Sequence, residues 1–438
     1  MKRYIALVLG VASGVLAAQK RWSLEDCIRY AEEHNLEIRY AQKNSDIQQK
    51  NFDMARREGL PSVAGSVGND FNFGQSQDVF GNNHSNNSFN NSANLRASIS
   101  VYNHSRLNKQ IQKSGYEVEA SRYDLEKTKN DIYVRIAKQY LTVLLNREVE
   151  LINKSSYENA AKLLERAEKT TAAGTTAYTV LAEAKAAVAR EFQNLKTAEI
   201  NTHNALFDLA MLLQIEDYKS FDVAENPVLD IPERNAPISE EKLMEIYNSR
   251  PEIKSAEAKI RASEKQTEIA KTAFYPSISA SAGVGTFYFR ALNSDENKSF
   301  SQQYKDNFGQ QLGVSATIPI FNKGITKLQV EQAKLSEELA KTNLQQQKQE
   351  VLQNVQRAEY TAQSNYEIYI SAVEAEKSAE LALDFAEKSY EAGRTTIYDV
   401  NIARNNYANA QGSVAQAKFN YIFQLKLLDF YAGLPFSL

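Results

Sequence analysis

The chain has 438 residues, a formal net charge of −3 and a single cysteine, Cys27. One cysteine excludes an intrachain disulfide and any cysteine-built metal or redox motif, and a charge this close to neutral points to no nucleic-acid partner. Mean hydropathy is −0.49 although 23 Tyr and 19 Phe are present, a combination that suits aromatic-rich strands joined to long polar helices.

At the amino end, Lys2 and Arg3 precede an apolar stretch from Tyr4 to Val15 and then Ala17 and Ala18. This is the layout of a secretory signal peptide over residues 1–18. The stretch is too short to cross a bilayer as a helix, and no later window approaches the ~20 apolar residues that crossing needs. Ser23, with Asp26 three residues on, opens the first predicted helix as a capping box, and that helix runs to just before Pro61. Cys27 fills its amphipathic face. The acidic Leu24-Glu25-Asp26 in front of the cysteine, far past the apolar region, speaks against lipid acylation.

Pro61, Pro227, Pro232, Pro237, Pro251, Pro276, Pro319 and Pro435 leave 62–226 and 320–434 free of proline, so long uninterrupted helices are permitted there. The two halves also match each other. Asn35-Leu36-Glu37-Ile38 answers Arg250-Pro251-Glu252-Ile253, and Leu60-Pro61-Ser62-Val63 answers Tyr275-Pro276-Ser277-Ile278, both at an offset of 215. Ala97 to Asn103 answers Ala316 to Asn322, and Ala167-Glu168-Lys169 with Ala173-Gly174 answers Ala386-Glu387-Lys388 with Ala392-Gly393, at 219. Past the glycine, Tyr178 and Val180 answer Tyr398 and Val400 at 220, a one-residue slip within the turn. Four matches in the same order mark an internal duplication: a first repeat over 19–214, an irregular connector over 215–238, and a second repeat over 239–438.

Each repeat reads helix, strand, strand, long helix, turn, helix. The second copy's first helix opens at Ser239 with Glu240 and Glu241. From about His104 to Ala172, Ile111, Val118, Leu125 and Ile132 recur every seven residues, and Ile136, Tyr140 and Val143 follow at four and three, which is coiled-coil spacing. The second rod, about Lys323 to Glu391, carries Leu328, Leu335 and Leu339, then Val351, Val355, Ala358, Ala362 and Tyr366. At 1.5 Å per residue each rod is roughly 100 Å long.

The strands are predicted over 61–73, 92–102, 276–289 and 310–320, with an Asn- and Ser-rich external loop over 75–91. Leu312, Val314, Ala316, Ile318 and Ile320 alternate with Gln311, Gly313, Ser315 and Thr317, and Leu95, Ala97, Ile99 and Val101 with Asn94, Arg96, Ser98 and Ser100. One face is apolar and the other small and polar, as in a membrane barrel with a wet lumen; an antiparallel sheet packed on a soluble core alternates in the same way. Lengths near the ~9–11 residues of a spanning strand favour the barrel. Four strands cannot close one, and a lipid-exposed edge costs of order tens of kcal/mol in unsatisfied backbone groups. Closure therefore requires oligomerisation, and three protomers supply twelve strands.

The repeat order, the rods and the turns Ala172-Ala173-Gly174-Thr175-Thr176 and Glu391-Ala392-Gly393-Arg394-Thr395-Thr396-Ile397-Tyr398-Asp399-Val400 resemble the TolC-like outer-membrane efflux family over essentially the whole mature chain. The resemblance implies a mainly α fold with a β-barrel. Its two tandem repeats form, as a homotrimer, a 12-stranded outer-membrane barrel continuous with a long periplasmic α-helical barrel. It also implies a Gram-negative outer-membrane location with a large periplasmic portion, and contact with outer-membrane lipid. The implied partners are a periplasmic adaptor and an inner-membrane transporter that drives small molecules through a passive duct, with no cofactor. Tyr390 resembles the family's gate tyrosine, and Asp399 before Val400 its first tunnel-facing aspartate. Ile402 stands where a second aspartate can occur, Thr179 where the first repeat often has one, and Arg394 lies one place earlier than the gate arginine. Gly174, Thr175, Thr176, Gly393, Arg394 and Thr395 form the tips that the resemblance assigns to adaptor docking. Tyr390 as interhelix packing and Asp399 as a helix N-terminal acid are the structural alternatives.

His34, His84, His104 and His203 lack metal spacing. Gly283-Val284-Gly285 lacks a third glycine and a strand-to-helix transition, and no nucleophile elbow or phosphate loop occurs, so nothing points to an enzyme. A protein-secretion duct, and from another class a secreted coiled-coil adhesin or fibre, share the signal peptide and the heptads. The fibre has no need of paired alternating strands at matching places in both halves.

Overall fold

A computed structural model of the chain describes residues 21–77, 79–85, 87–224, 247–292 and 297–436. The signal peptide, most of the connector and the helix start expected at Ser239 lie outside those residues. In chain order the elements are β1 (Arg21–Trp22), α1 (Leu24–His34), α2 (Leu36–Arg57), β2 (Ser62–Asn72), β3 (Gln75–Gln77), β4 (Asn83–Ser85), β5 (Ser88–Tyr102), α3 (Arg106–Ala172), α4 (Tyr178–Leu213), β6 (Asp222–Val223), α5 (Pro251–Thr272), β7 (Ser277–Ala291), α6 (Phe300–Asp306), β8 (Gly309–Thr317), α7 (Ile325–Glu391) and α8 (Ile397–Tyr431).

The duplication is visible element by element. α2 and α5 both have 22 residues and begin 215 positions apart, as do β2 and β7. The two rods α3 and α7 both have 67 residues and begin 219 apart. α4 and α8 also open 219 apart, so the slip expected in the turn belongs to the side-chain pattern and not to the backbone. The chain enters each rod through two successive left-handed residues, His104 and Ser105 (φ 51° and 59°) in one copy and Lys323 and Gly324 (φ 59° and 78°) in the other.

The predicted first helix does not run unbroken from Ser23. It stops at Asn35, whose extended backbone (ψ 127°) ends α1. The Asn35 Oδ1 accepts from the N–H groups of Glu37 and Ile38 at 2.9 and 3.3 Å, capping α2, while its Nδ2 donates to the Leu212 carbonyl at 3.1 Å. The capping box at Ser23 is half made. Ser23 Oγ accepts from the Asp26 N–H at 3.1 Å, but the Asp26 carboxylate takes Arg29 at 3.0 Å.

The chain divides into two compact units. The helical unit comprises the chain to Ala41, Leu125–Arg250 and Lys348–Leu438. Its core gathers Leu24, Cys27 and Ala31 of α1, Ile132, Ile136, Tyr140 and Val143 of α3, Leu209 and Leu213 of α4, and Phe419 and Ile422 of α8. Of the positions predicted for the first rod, these four of α3 and Val118 are buried, while Ile111 and Leu125 are half-buried. The parallel bridge between β1 and β6 gives residues of the expected irregular connector a ladder partner. Tyr140 Oη donates to the carbonyls of Trp22 and Ala224 at 3.2 and 3.3 Å, and Arg147 holds the Val223 carbonyl at 2.9 Å and the Asp222 carboxylate.

The sheet unit comprises Gln42–Asp124 and Pro251–Gln347. Its antiparallel sheet has the order β2-β5-β7-β8, which joins the two repeats through β5 and β7. The stretch expected to be a loop over 75–91 contains the β3–β4 hairpin and the start of β5, and the helical turn α6 lies between β7 and β8. Ile318 and Ile320, predicted as strand, fall past the end of β8. Leu328, Leu335 and Leu339 of the second rod are 63%, 65% and 70% exposed, whereas Val330 is buried. The first three positions of the predicted seam therefore face away from this chain's own packing, whereas Val351, Val355, Ala358 and Ala362 farther along the rod are buried as predicted.

Candidate functional site

Each tip closes on a glycine for a backbone reason. Gly174 and Gly393 have φ +77° and +70°, a conformation that costs a residue with a Cβ about 1–2 kcal/mol. The Gly174 N–H reaches the Thr171 carbonyl at 3.0 Å and the Thr175 N–H the Thr170 carbonyl at 3.0 Å; Gly393 to Tyr390 and Arg394 to Ser389 repeat this at 3.0 and 2.9 Å. Both ends are Schellman caps, which satisfy carbonyls the rods leave open. A Cβ on either glycine would meet nothing within 4 Å. Thr175 adds a hydroxyl bond to the Thr170 carbonyl at 2.9 Å, where the other tip carries Arg394.

Of the gate candidates, Asp399 is the best defined. It sits in the first turn of α8 in a full capping box with Thr396. Its Oδ2 accepts from the hydroxyls of Thr395 and Thr396 at 2.6 and 2.7 Å and from the Thr396 N–H at 3.1 Å. Those bonds favour the charged form, the Thr395 hydroxyl most, and lower the carboxyl to about 2. Tyr390 is half-buried and its backbone takes part in the tip cap. Arg394 is exposed. The hydroxyl of Tyr390 and the guanidinium of Arg394 contact neither each other nor Asp399, so within one chain these three residues form no closed network. Ile402 is 43% exposed on α8 and Thr179 is exposed on α4.

Two tertiary pairs near the tips escape sequence reasoning. Arg404 of α8 pairs with Glu387 of α7, and Arg166 of α3 lies 3.7 Å from Glu391 of α7. The spacing of i and i+4 does predict the matched pairs Glu165–Lys169 and Asp384–Lys388, each at 2.7 Å and 219 positions apart.

In the sheet unit, register decides the faces. Val63, Ala97, Ala282 and Leu312 lie in one row across the four strands, Gly65, Leu95, Val284 and Gln310 in the next on the same face, and Ile99, Ala280 and Val314 in another. The opposite face has rows such as Ser62, Ser98, Ser281 and Gly313, and Ser66, Asn94, Gly285 and Gly309. Ser62 and Ser98 bridge at 2.9 Å and Ser279 and Ser315 at 2.8 Å. Val67 and Leu312 are 73% and 87% exposed, so none of the described residues covers this part of the apolar face. Among the described residues β2 and β8 each pair along one side only.

The sheet, with an apolar face and two open edges among the described residues, is built from two copies of one unit, each with a long rod and a returning helix. The chain belongs to the family of outer membrane efflux proteins, whose model matches residues 27–213 and again 243–434, once on each repeat. It is 27% identical over 314 residues to the pyoverdine export outer membrane protein OpmQ of Pseudomonas aeruginosa, covering 69% of this chain and 61% of that relative. The chain therefore spans less than two thirds of OpmQ's length. It is 24% identical to the outer membrane protein TolC of Escherichia coli over 96% of this chain and 84% of TolC. Its fold matches the CmeC outer membrane channel of Campylobacter jejuni with a TM-score of 0.78, at 21% identity over 94% of this chain and 85% of CmeC.

Proposed function

We propose that the chain is the outer-membrane channel of a tripartite efflux system in a Gram-negative bacterium, a passive duct for small molecules. The observation that carries this reading is the pair of open edges, β2 and β8, beside an uncovered apolar face. A sheet of that kind in lipid strands backbone groups at several kcal/mol each. Three copies joined edge to edge remove both edges and give twelve strands with the apolar rows toward lipid and the Ser- and Gly-rich rows toward water. Helix surfaces of the sheet unit support self-association independently. Ile47 and Met54 on α2, and Leu328 and Leu335 on α7, are exposed apolar residues seven apart, spacing that suits a facing helix of another copy.

The rods then form the periplasmic tunnel, with Tyr390, Arg394 and Asp399 at its entrance. Asp399, exposed and charged across the physiological range, contributes a ring of negative charge, one per subunit. The tips carrying Gly174, Thr175, Thr176, Gly393, Arg394 and Thr395 are the docking surface for a periplasmic adaptor, which couples the duct to an inner-membrane transporter. Open space around both glycines admits close approach by a partner helical hairpin. Cross-linking in membranes and planar-bilayer recording test the reading. A trimer that conducts supports it, and monomers or dimers without conductance overturn it.

A further inference from the structure

We propose that the end of the sheet where the strands meet the helices carries a belt for the anionic headgroups of glycerophospholipids. This rests on the reading of the sheet as a membrane barrel. Four chain segments converge at that end, 56–60 and 271–276 leaving α2 and α5, and 103–109 and 320–327 entering α3 and α7. They carry seven bases, Arg56, Arg57, Arg106, Lys109, Lys271, Lys323 and Lys327, against one acid, Glu58, in a chain whose net charge is −3.

Local helix stability does not explain that excess at the two rods. Neither α3 nor α7 has an acid in its first turn, and bases there oppose the helix dipole. Internal pairing explains little of it either. Lys327 reaches Glu331 at 3.9 Å, whereas Arg57, Arg106, Lys109 and Lys323 form no ion pair among the described residues. Exposed cations left close together repel one another unless an anionic surface lies against them.

A second observation identifies that surface as lipid. The same end is ringed by exposed aromatic residues, Tyr102, Phe274, Tyr275 and Phe321, and the apolar face of the sheet continues down to Val63 and Val101, 64% exposed each. Tyr275 is held by a stacked His104 ring at 3.6 Å. Aromatic residues at the foot of an apolar band mark the level of the headgroups, so the bases beside them meet phosphate. A soluble anion would have no use for the aromatic ring or for its continuity with the apolar face.

The experiment reconstitutes the full chain and the variant R106Q/K323Q/K327Q in bilayers of phosphatidylcholine with one part in three of phosphatidylglycerol. The lipid retained after extraction into neutral detergent is then quantified. The wild type is expected to hold phosphatidylglycerol above its bulk proportion, and the variant to lose that enrichment by roughly fivefold per charge removed. Both are expected to conduct in pure phosphatidylcholine. Retention at the bulk ratio in the wild type, or enrichment unchanged in the variant, overturns the belt. Complete displacement by millimolar inorganic phosphate overturns the lipid assignment in favour of a free-anion site. A wild type that forms no channel overturns the barrel reading and the belt with it.

Discussion

The Arg404 guanidinium on α8 binds the Glu387 carboxylate on α7, 17 residues back along the chain, with 11% of the arginine side chain and 46% of the glutamate's exposed. The Nη1 of the same guanidinium is buried without a hydrogen-bond partner, so loss of Glu387 strands a cation. Glu387→Gln is expected to cost about 1–2 kcal/mol, below the fully buried case because the glutamate is half in water. Arg404→Leu, which removes the cation and its orphan donor together, is expected to cost less. Denaturant midpoints followed by helical circular dichroism rank the two, and the reverse order would show that the pair does not hold the helices.

Asp399 ties its pH response to the tip of α8. Its folded carboxyl lies at about 2, below the ~3.9 of an unfolded aspartate. The sign follows: the cap is fully present above about pH 4 and is lost as pH falls through the folded value near 2. A carboxyl titration by NMR with a midpoint near 4 would contradict the capping geometry. Asp399→Ala is expected to alter single-channel conductance or divalent-cation block as well, and an unchanged channel would leave the residue as a helix cap alone.

Gly174→Val and Gly393→Val test docking apart from folding. An added Cβ meets no atom within 4 Å, and the left-handed backbone costs about 1–2 kcal/mol. Each variant is expected to trimerise and insert while efflux is abolished. Efflux that survives both replacements places docking elsewhere, and loss of the trimer assigns the glycines a structural role.

Burial, with Asp26 and Glu25 nearby, raises the Cys27 thiol to about 12. A raised folded value means that its stabilising contribution is present below the unfolded value near 9 and is lost as pH rises toward 12. The thiol is expected to stay unmodified by maleimide at pH 8 in the folded protein and to react fully once denatured. Rapid labelling of the native protein would show that α1 is not packed as described.

The duplication, the two rods, the strand pairs and the glycine turns were all legible in the sequence. Each rests on signals that act over a few residues: proline-free stretches, spacings of seven and two, and a backbone conformation that only glycine adopts freely. Tertiary contact decided the rest. Asn35 breaks the first helix because its side chain bridges α2 and a carbonyl 177 residues away, and no local pattern encodes that reach. Leu328, Leu335 and Leu339 have the spacing of a core seam yet face outward, since spacing defines a stripe but not the surface that covers it. At the tip, the sequence offered Asp399 as a helix N-terminal acid only as the alternative to a tunnel-facing residue, and the folded turn brought three donors onto its Oδ2. Strand order β2-β5-β7-β8 likewise depends on which copy's strands meet in space, so sequence alternation determined the two faces of the sheet and only the fold determined its open edges.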